Sequence, residues 1–171
     1  QSFGNGGPCM THLVISLFGS FQATLDEAPI SGFESDKVRA LLTYLTLEND
    51  RPHRREKLAG LLWPNYAERS ARTNLRSALA NLRAILGDRE ADHPFLRVSR
   101  QTLQFDVSCD AWLDVWAFTE GLKACQTLIQ KTSVPGEPWA QRLTEAVDLY
   151  RGEFMAGFSF DSVPFEAWIL V

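Results

Sequence analysis

The sequence has little of what would commit it to several large protein classes. Its 171 residues include three cysteines, Cys9, Cys109 and Cys125, too few and too scattered for a disulfide framework or a zinc site. No apolar run approaches the roughly 20 residues needed to span a bilayer. A signal peptide does not fit either, because the apolar stretch after the amino terminus is short and alternating. The expectation is a protein of a reducing cytoplasm with no membrane partner. There is no phosphate-binding loop ending in Gly-Lys-Ser or Gly-Lys-Thr and no Gly-x-Gly-x-x-Gly. A Gly-x-Ser-x-Gly elbow and a His-Glu-x-x-His helix are missing as well. His12, His53 and His93 lie about forty residues apart, and carboxylate pairs such as Asp26-Glu27 fall in turns. No catalytic residue, metal site or cofactor is expected, and the chain does not read as an enzyme.

What is present is an ordinary folding composition with an uneven charge. Apolar residues at 45% and charged residues at 22% suit a folded core rather than disorder. The net charge of −4 averages three unlike segments. Residues 1–50 hold two Lys or Arg against six carboxylates, and residues 101–171 hold four against ten. Between them, residues 51–100 hold eleven against five. A basic centre between acidic flanks is a patch with a location, and patches decide electrostatic partners. A solvated face is the plain alternative.

Residues 1–9 are rich in Gly, Ser and Asn, lack periodicity and precede Met10. They read as an expression remnant or a disordered terminus. Leu13 to Phe21 is β-branched and aromatic, and with turns at Gly19-Ser20, Asp26-Glu27 and Pro29–Gly32 it predicts two or three antiparallel strands. A helix is expected from Ser35-Asp36-Lys37 through Leu47, where Val38, Leu41, Leu42 and Leu45 recur at helical spacing. After a break at Arg51-Pro52-His53, a short helix runs from Arg54 to Trp63, stopped by Pro64. A third helix spans about 67–86, with Leu75, Leu79, Leu82 and Leu86 in one stripe and Gly87 as the left-handed cap. Phe95–Val98 and Thr102–Phe105 predict a hairpin with Ser99-Arg100-Gln101 at its tip. The rest reads as helical: Ala111 to Gln130, a loop at Val134-Pro135-Gly136, Glu137 to Arg151, and Phe165 to Val171. That last helix looks cut short.

The third helix carries the chemistry. Opposite its leucines lie Arg69, Thr73, Arg76, Ser77, Ala80 and Ala84, flanked by Arg72 and Arg83 on one side and Asn74 and Asn81 on the other. From Arg69 to Leu86 there are four arginines and no carboxylate, whereas a helix needing only solvation favours mixed Glu and Lys pairs. Small central residues let a helix approach a major groove closely, marginal guanidinium groups reach phosphates, and Arg or Asn can make bidentate base contacts. A helix bearing Arg54, Arg55 and Lys57 precedes it, and a hairpin with Arg97 and Arg100 follows. Helix, turn, helix and hairpin is the order of a winged helix.

Residues 12–107 resemble an OmpR-type winged helix, which has an amino-terminal antiparallel sheet before its first helix. Three blocks are similar to Streptomyces antibiotic regulatory proteins (SARPs): Lys37-Val38-Arg39-Ala40-Leu41-Leu42-Thr43-Tyr44-Leu45, Arg55-Glu56-Lys57-Leu58-Ala59-Gly60-Leu61-Leu62-Trp63-Pro64, and Asn74-Leu75-Arg76-Ser77-Ala78-Leu79-Ala80-Asn81-Leu82-Arg83. Residues 108–171 resemble the bacterial transcriptional activator domain of that family, through Tyr150-Arg151-Gly152-Glu153-Phe154-Met155-Ala156-Gly157-Phe158 and Phe165-Glu166-x-Trp168.

The resemblance implies an α+β winged helix over residues 10–107, with an amino-terminal antiparallel sheet and a carboxy-terminal hairpin wing. An all-α, tetratricopeptide-like module follows over 108–171, incomplete. It implies a bacterial, cytoplasmic, nucleoid-associated transcriptional activator that inserts helix 67–86 into the major groove of promoter direct repeats. Double-stranded promoter DNA and RNA polymerase are the implied partners, with self-association on the repeats. Thr73, Asn74, Arg76, Ser77 and Asn81 are the base-reading candidates. Arg54, Arg55, Arg69, Arg72 and Arg83 are the phosphate candidates, and Arg97, Arg100 and Gln101 form the wing. Ala80, Asn81 and Ala84 stand where relatives often carry further arginines, so base preference does not transfer. The alternative is a protein-interaction module that uses the basic face and the tetratricopeptide-like surface without reading bases; exposed Trp or Phe within 112–129 would favour it.

Overall fold

The computed structural model describes residues 11–131, 137–158 and 161–170. The amino-terminal strands are β1 (Leu13–Ser16), β2 (Gln22–Leu25) and β3 (Ala28–Pro29). β1 and β2 pair antiparallel, Leu13 opposite Leu25 and Ser16 opposite Gln22, which buries Leu13, Ile15 and Ala23 on one face. Asp26 and Glu27 join β2 to β3 with φ of 48° and 67°, the left-handed pair that a two-residue hairpin turn requires.

Helix α1 (Asp36–Leu47) lies at the centre. Every residue from Ala40 to Thr46 is buried, so this helix is covered on all sides rather than along one stripe. α2 (Arg55–Leu62) and α3 (Glu68–Ile85) pack on it and on each other. Leu41, Leu45, Leu58, Leu62 and Leu82 are at most 1% exposed, each burial stabilising by about 1.5–3 kcal/mol. Gly87 follows α3 with φ +68°, as the expected cap position demands. β5 (Leu96–Val98) and β6 (Thr102–Phe105) form the hairpin.

Four expectations need correction. The break expected at Arg51-Pro52-His53 does not lead directly into helix, because His53–Arg54 form strand β4 against Leu103 and Thr102 of β6. The second helix therefore starts at Arg55 rather than Arg54. Ala111–Leu113 is a strand, β7, rather than the first turn of a helix; it pairs parallel with β1, Leu13 opposite Ala111 and Ile15 opposite Leu113. Three residues carry too little periodicity to separate strand from helix, and the open edge of β1 decides the matter. The sheets are thus ordered β3-β2-β1-β7 and β4-β6-β5, and the first draws a strand from beyond residue 107. The helix after Glu137 also ends earlier than Arg151, at Asp148.

Helices α4 (Asp114–Lys131) and α5 (Glu137–Asp148) pack on each other as a pair, and α6 (Val163–Ile169) returns to the winged helix. Asp114, buried, receives the Leu17 and Phe18 backbone N–H groups at 2.8 and 2.9 Å, and these bonds compensate a carboxylate withdrawn from water. Ser162 donates to the Leu61 carbonyl, and the Trp168 indole donates to Glu48 at 2.9 Å. Residues 1–9, the 134–136 loop and Val171 lie outside the described residues.

Candidate nucleic-acid interface

α3 presents its arginines because its leucines are used inward. Leu75, Leu79 and Leu82 are buried at 4 and 3 spacing, which turns Arg69, Arg72, Thr73, Arg76 and Ser77 to solvent. Glu68 occupies the first turn, where a carboxylate complements the helix dipole. Thr73 folds its hydroxyl back onto the Arg69 carbonyl at 3.0 Å.

Two concavities flank this ridge. On one side a cleft of about 460 Å³ is lined by Arg54, Arg55, Glu56, Arg72, Leu75, Arg76, Arg100 and Gln101. Five arginines from β4, α2, α3 and the hairpin tip thus converge around one carboxylate. The tip is fixed there: the Arg55 N–H donates to the Gln101 carbonyl at 2.9 Å, and the Ser99 hydroxyl accepts from the Gln101 and Thr102 N–H groups. On the other side Asn74 and Ser77 share a shallower groove with Glu34, Asp36, Lys37 and Trp63. The expected site residues therefore divide between two sides of one helix.

The cationic side is electrostatically loaded. Burial lowers the Arg55 pKa from its ordinary value, and repulsion from Arg76 and Arg83 lowers it further. The Nε atoms of Arg55 and Arg83 are buried without a hydrogen-bond partner, a costly state for a charged donor. Asp88, just beyond α3, accepts the Phe95 and Leu96 N–H groups at 2.6 and 3.0 Å, tying the helix end to β5. Its pKa is raised by burial, against the pull of those bonds and of Arg83.

Not every expected contact residue is free. Asn81 is engaged within the fold: its amide donates to the Gly32 carbonyl at 3.0 Å and accepts from the Glu34 N–H at 3.2 Å. Arg72 donates to Glu56 and Glu68 at 2.7 and 2.6 Å. Arg97 grips Asp106 through two bonds of 2.7 and 2.9 Å. Burial pushes the Asp106 carboxyl up, but the bonds from Arg97 and Ser108 outweigh it and leave its pKa lowered. By contrast Arg54, Arg69, Arg76 and Arg100 make no side-chain ion pair among the described residues. Sequence reasoning missed Glu56, Glu68 and Asp106. The i,i+4 spacing of Glu68 and Arg72 was a legible signal; the other two partners are contacts made by folding. Among the described residues no cluster of His, Cys, Asp or Glu could hold a metal, and no helix is long and apolar enough to cross a membrane.

No family model matches the chain. The transcriptional regulatory protein EmbR of Mycobacterium bovis and that of Mycobacterium tuberculosis are each 36% identical to it over 76 residues, 44% of this chain and 19% of theirs. A solved structure of Mycobacterium tuberculosis EmbR in complex with a low-affinity phosphopeptide matches with a TM-score of 0.71 at 23% identity, over 94% of this chain and 41% of that one. The chain resembles a SARP-type transcriptional regulator. The structural match carries the fold, a winged helix followed by helices, across nearly the whole length. The SARP-type likeness in sequence is confined to less than half of it, and the chain spans 19% of the length of the curated relatives.

Proposed function

We propose that this chain is the DNA-binding part of a transcription regulator. In this reading α3 enters the major groove of a duplex and the β5–β6 hairpin lies beside it as the wing. The observation that supports it best is the single cleft formed by Arg54, Arg55, Arg72, Arg76 and Arg100, because phosphate neutralisation supplies most of the sequence-independent affinity for DNA. Arg54, Arg55, Arg69, Arg83 and Arg100 are assigned to phosphates; Thr73, Asn74, Arg76 and Ser77 face the bases. The regulators named EmbR support the transcriptional role. Activation, through RNA polymerase contact by the helical part and self-association on direct repeats, is part of the same proposal.

A fluorescence titration of labelled duplex from its own promoter region tests the reading. With roughly 6 phosphate contacts, log affinity should fall against log salt with a slope near −5. Absent or salt-independent binding sinks it. Trp112, 36% exposed, favours a second reading in which the chain is a protein-interaction module; retention on duplex DNA separates the two.

A further inference from the structure

Glu56 and Glu68 stand out on the proposed DNA-facing side because both hold one of its arginines. Both carboxylates take the same Arg72 nitrogen, at 2.7 and 2.6 Å, and all three side chains are well exposed, 64%, 76% and 46%. Ion pairs this exposed contribute little to folding. Yet Glu56 is the one carboxylate lining the arginine cleft, and Glu68 sits one helical turn before Arg72 on α3. Their position makes them competitors of a phosphate for the same guanidinium.

We infer that Glu56 and Glu68 hold Arg72 in reserve and so set how strongly the cleft grips any DNA backbone. The inference rests on the DNA-binding reading above. An arginine whose charge is already offset by two carboxylates neutralises little of a phosphate's charge and releases little counterion, so the cleft counts fewer phosphate contacts than it has arginines. A phosphate that reaches Arg72 has to share its guanidinium with two carboxylates or displace them, and in either case it meets their negative charge. Arg54, Arg76 and Arg100, with no such carboxylate partner, keep their contacts. The effect is to trim the sequence-independent part of binding, so that base-edge contacts from α3 account for more of the whole. Glu56 and Glu68 are positioning residues that act through Arg72.

The test is anisotropy of a labelled, mixed-sequence duplex of about 20 base pairs titrated with the full chain at several salt concentrations, where each phosphate contact adds about −0.9 to the log–log slope. E56Q/E68Q, isosteric at both sites, should steepen the slope by about 0.9, which multiplies the parent chain's affinity ratio between 0.1 M and 1 M salt by roughly eight. E56Q and E68Q singly, each leaving one carboxylate on Arg72, should give less than the double variant. The gain should vanish when the pair is introduced alongside R72Q. A gain that persists with R72Q shows a general charge effect and overturns the tether, as does an unchanged or shallower slope in E56Q/E68Q. If the parent chain binds with a steep slope, those results overturn the tether alone. If it binds no duplex, the DNA-binding reading falls and the tether with it.

Discussion

The two ends of α3 are built from similar residues and do different things. Over its first half, Arg69, Thr73, Arg76 and Ser77 stand clear of the fold while the leucines below them are buried. Over its second half, Asn81 is bonded to Gly32 and Glu34, Ile85 packs against the core, and Arg83 is half-buried with an unpartnered Nε. Gly32 approaches so closely that a Cβ there would lie 2.8 Å from Ile85, so the loop before α1 is fitted to this end of the helix. One end is anchored, which leaves the other free to project. A polar residue on an amphipathic helix is thus not a surface residue by virtue of polarity alone.

The contrast can be broken hardest from below. Leu82→Ala removes a fully buried anchor and should lower stability by about 2–5 kcal/mol, read from urea denaturation; a loss under about 1 kcal/mol would show that the second half is not anchored. Arg76→Ala, on the projecting half, should leave the melting temperature alone and weaken duplex binding by about 1–3 kcal/mol. Comparing its preferred sequences, selected from a random duplex pool, with those of the parent chain then tells base reading from phosphate contact.

Asn81→Ala makes the opposite prediction on the same helix. Stability should drop by about 1–2 kcal/mol through two lost hydrogen bonds, while the selected duplex sequences stay the same. A shifted sequence preference would return Asn81 to the base-reading set. The smallest effect concerns the wing. Asp106 has a lowered pKa, so its stabilising contribution is present above the ordinary carboxylate range and is lost as pH falls through the folded pKa. The melting-temperature gap between the parent chain and Asp106→Asn should therefore be widest near neutrality and close in acid. Asp88, raised by burial, works in the reverse sense, with its contribution lost as pH rises through the folded pKa.

Much of this was legible in the residues themselves. The leucine spacing placed α1 and α3 almost to their ends, Gly87 marked the stop of α3, and Ser99–Gln101 marked the hairpin tip. What escaped was non-local. The Glu56 partner of Arg72, the Asp106 partner of Arg97 and the capture of Asn81 depend on elements brought together from 16, 9 and 49 residues away, and periodicity reports only a residue's own helix or strand. β4 and β7 escaped for a related reason. Two- and three-residue strands have no pattern of their own and exist because β6 and β1 offer them a partner.

The parallel pairing of β7 with β1 has a practical consequence for anyone cutting the chain. A fragment ending at residue 107 would retain all three helices of the winged helix and its wing, yet leave β1 with a row of unpaired backbone donors and acceptors. Such an edge is an invitation to other strands, and the Leu17 and Phe18 N–H groups would lose the Asp114 carboxylate at the same stroke. Any division of this molecule that spares β1 has to keep the short strand that crosses back and the Asp114 carboxylate directly behind it, both beyond the point where the composition changes.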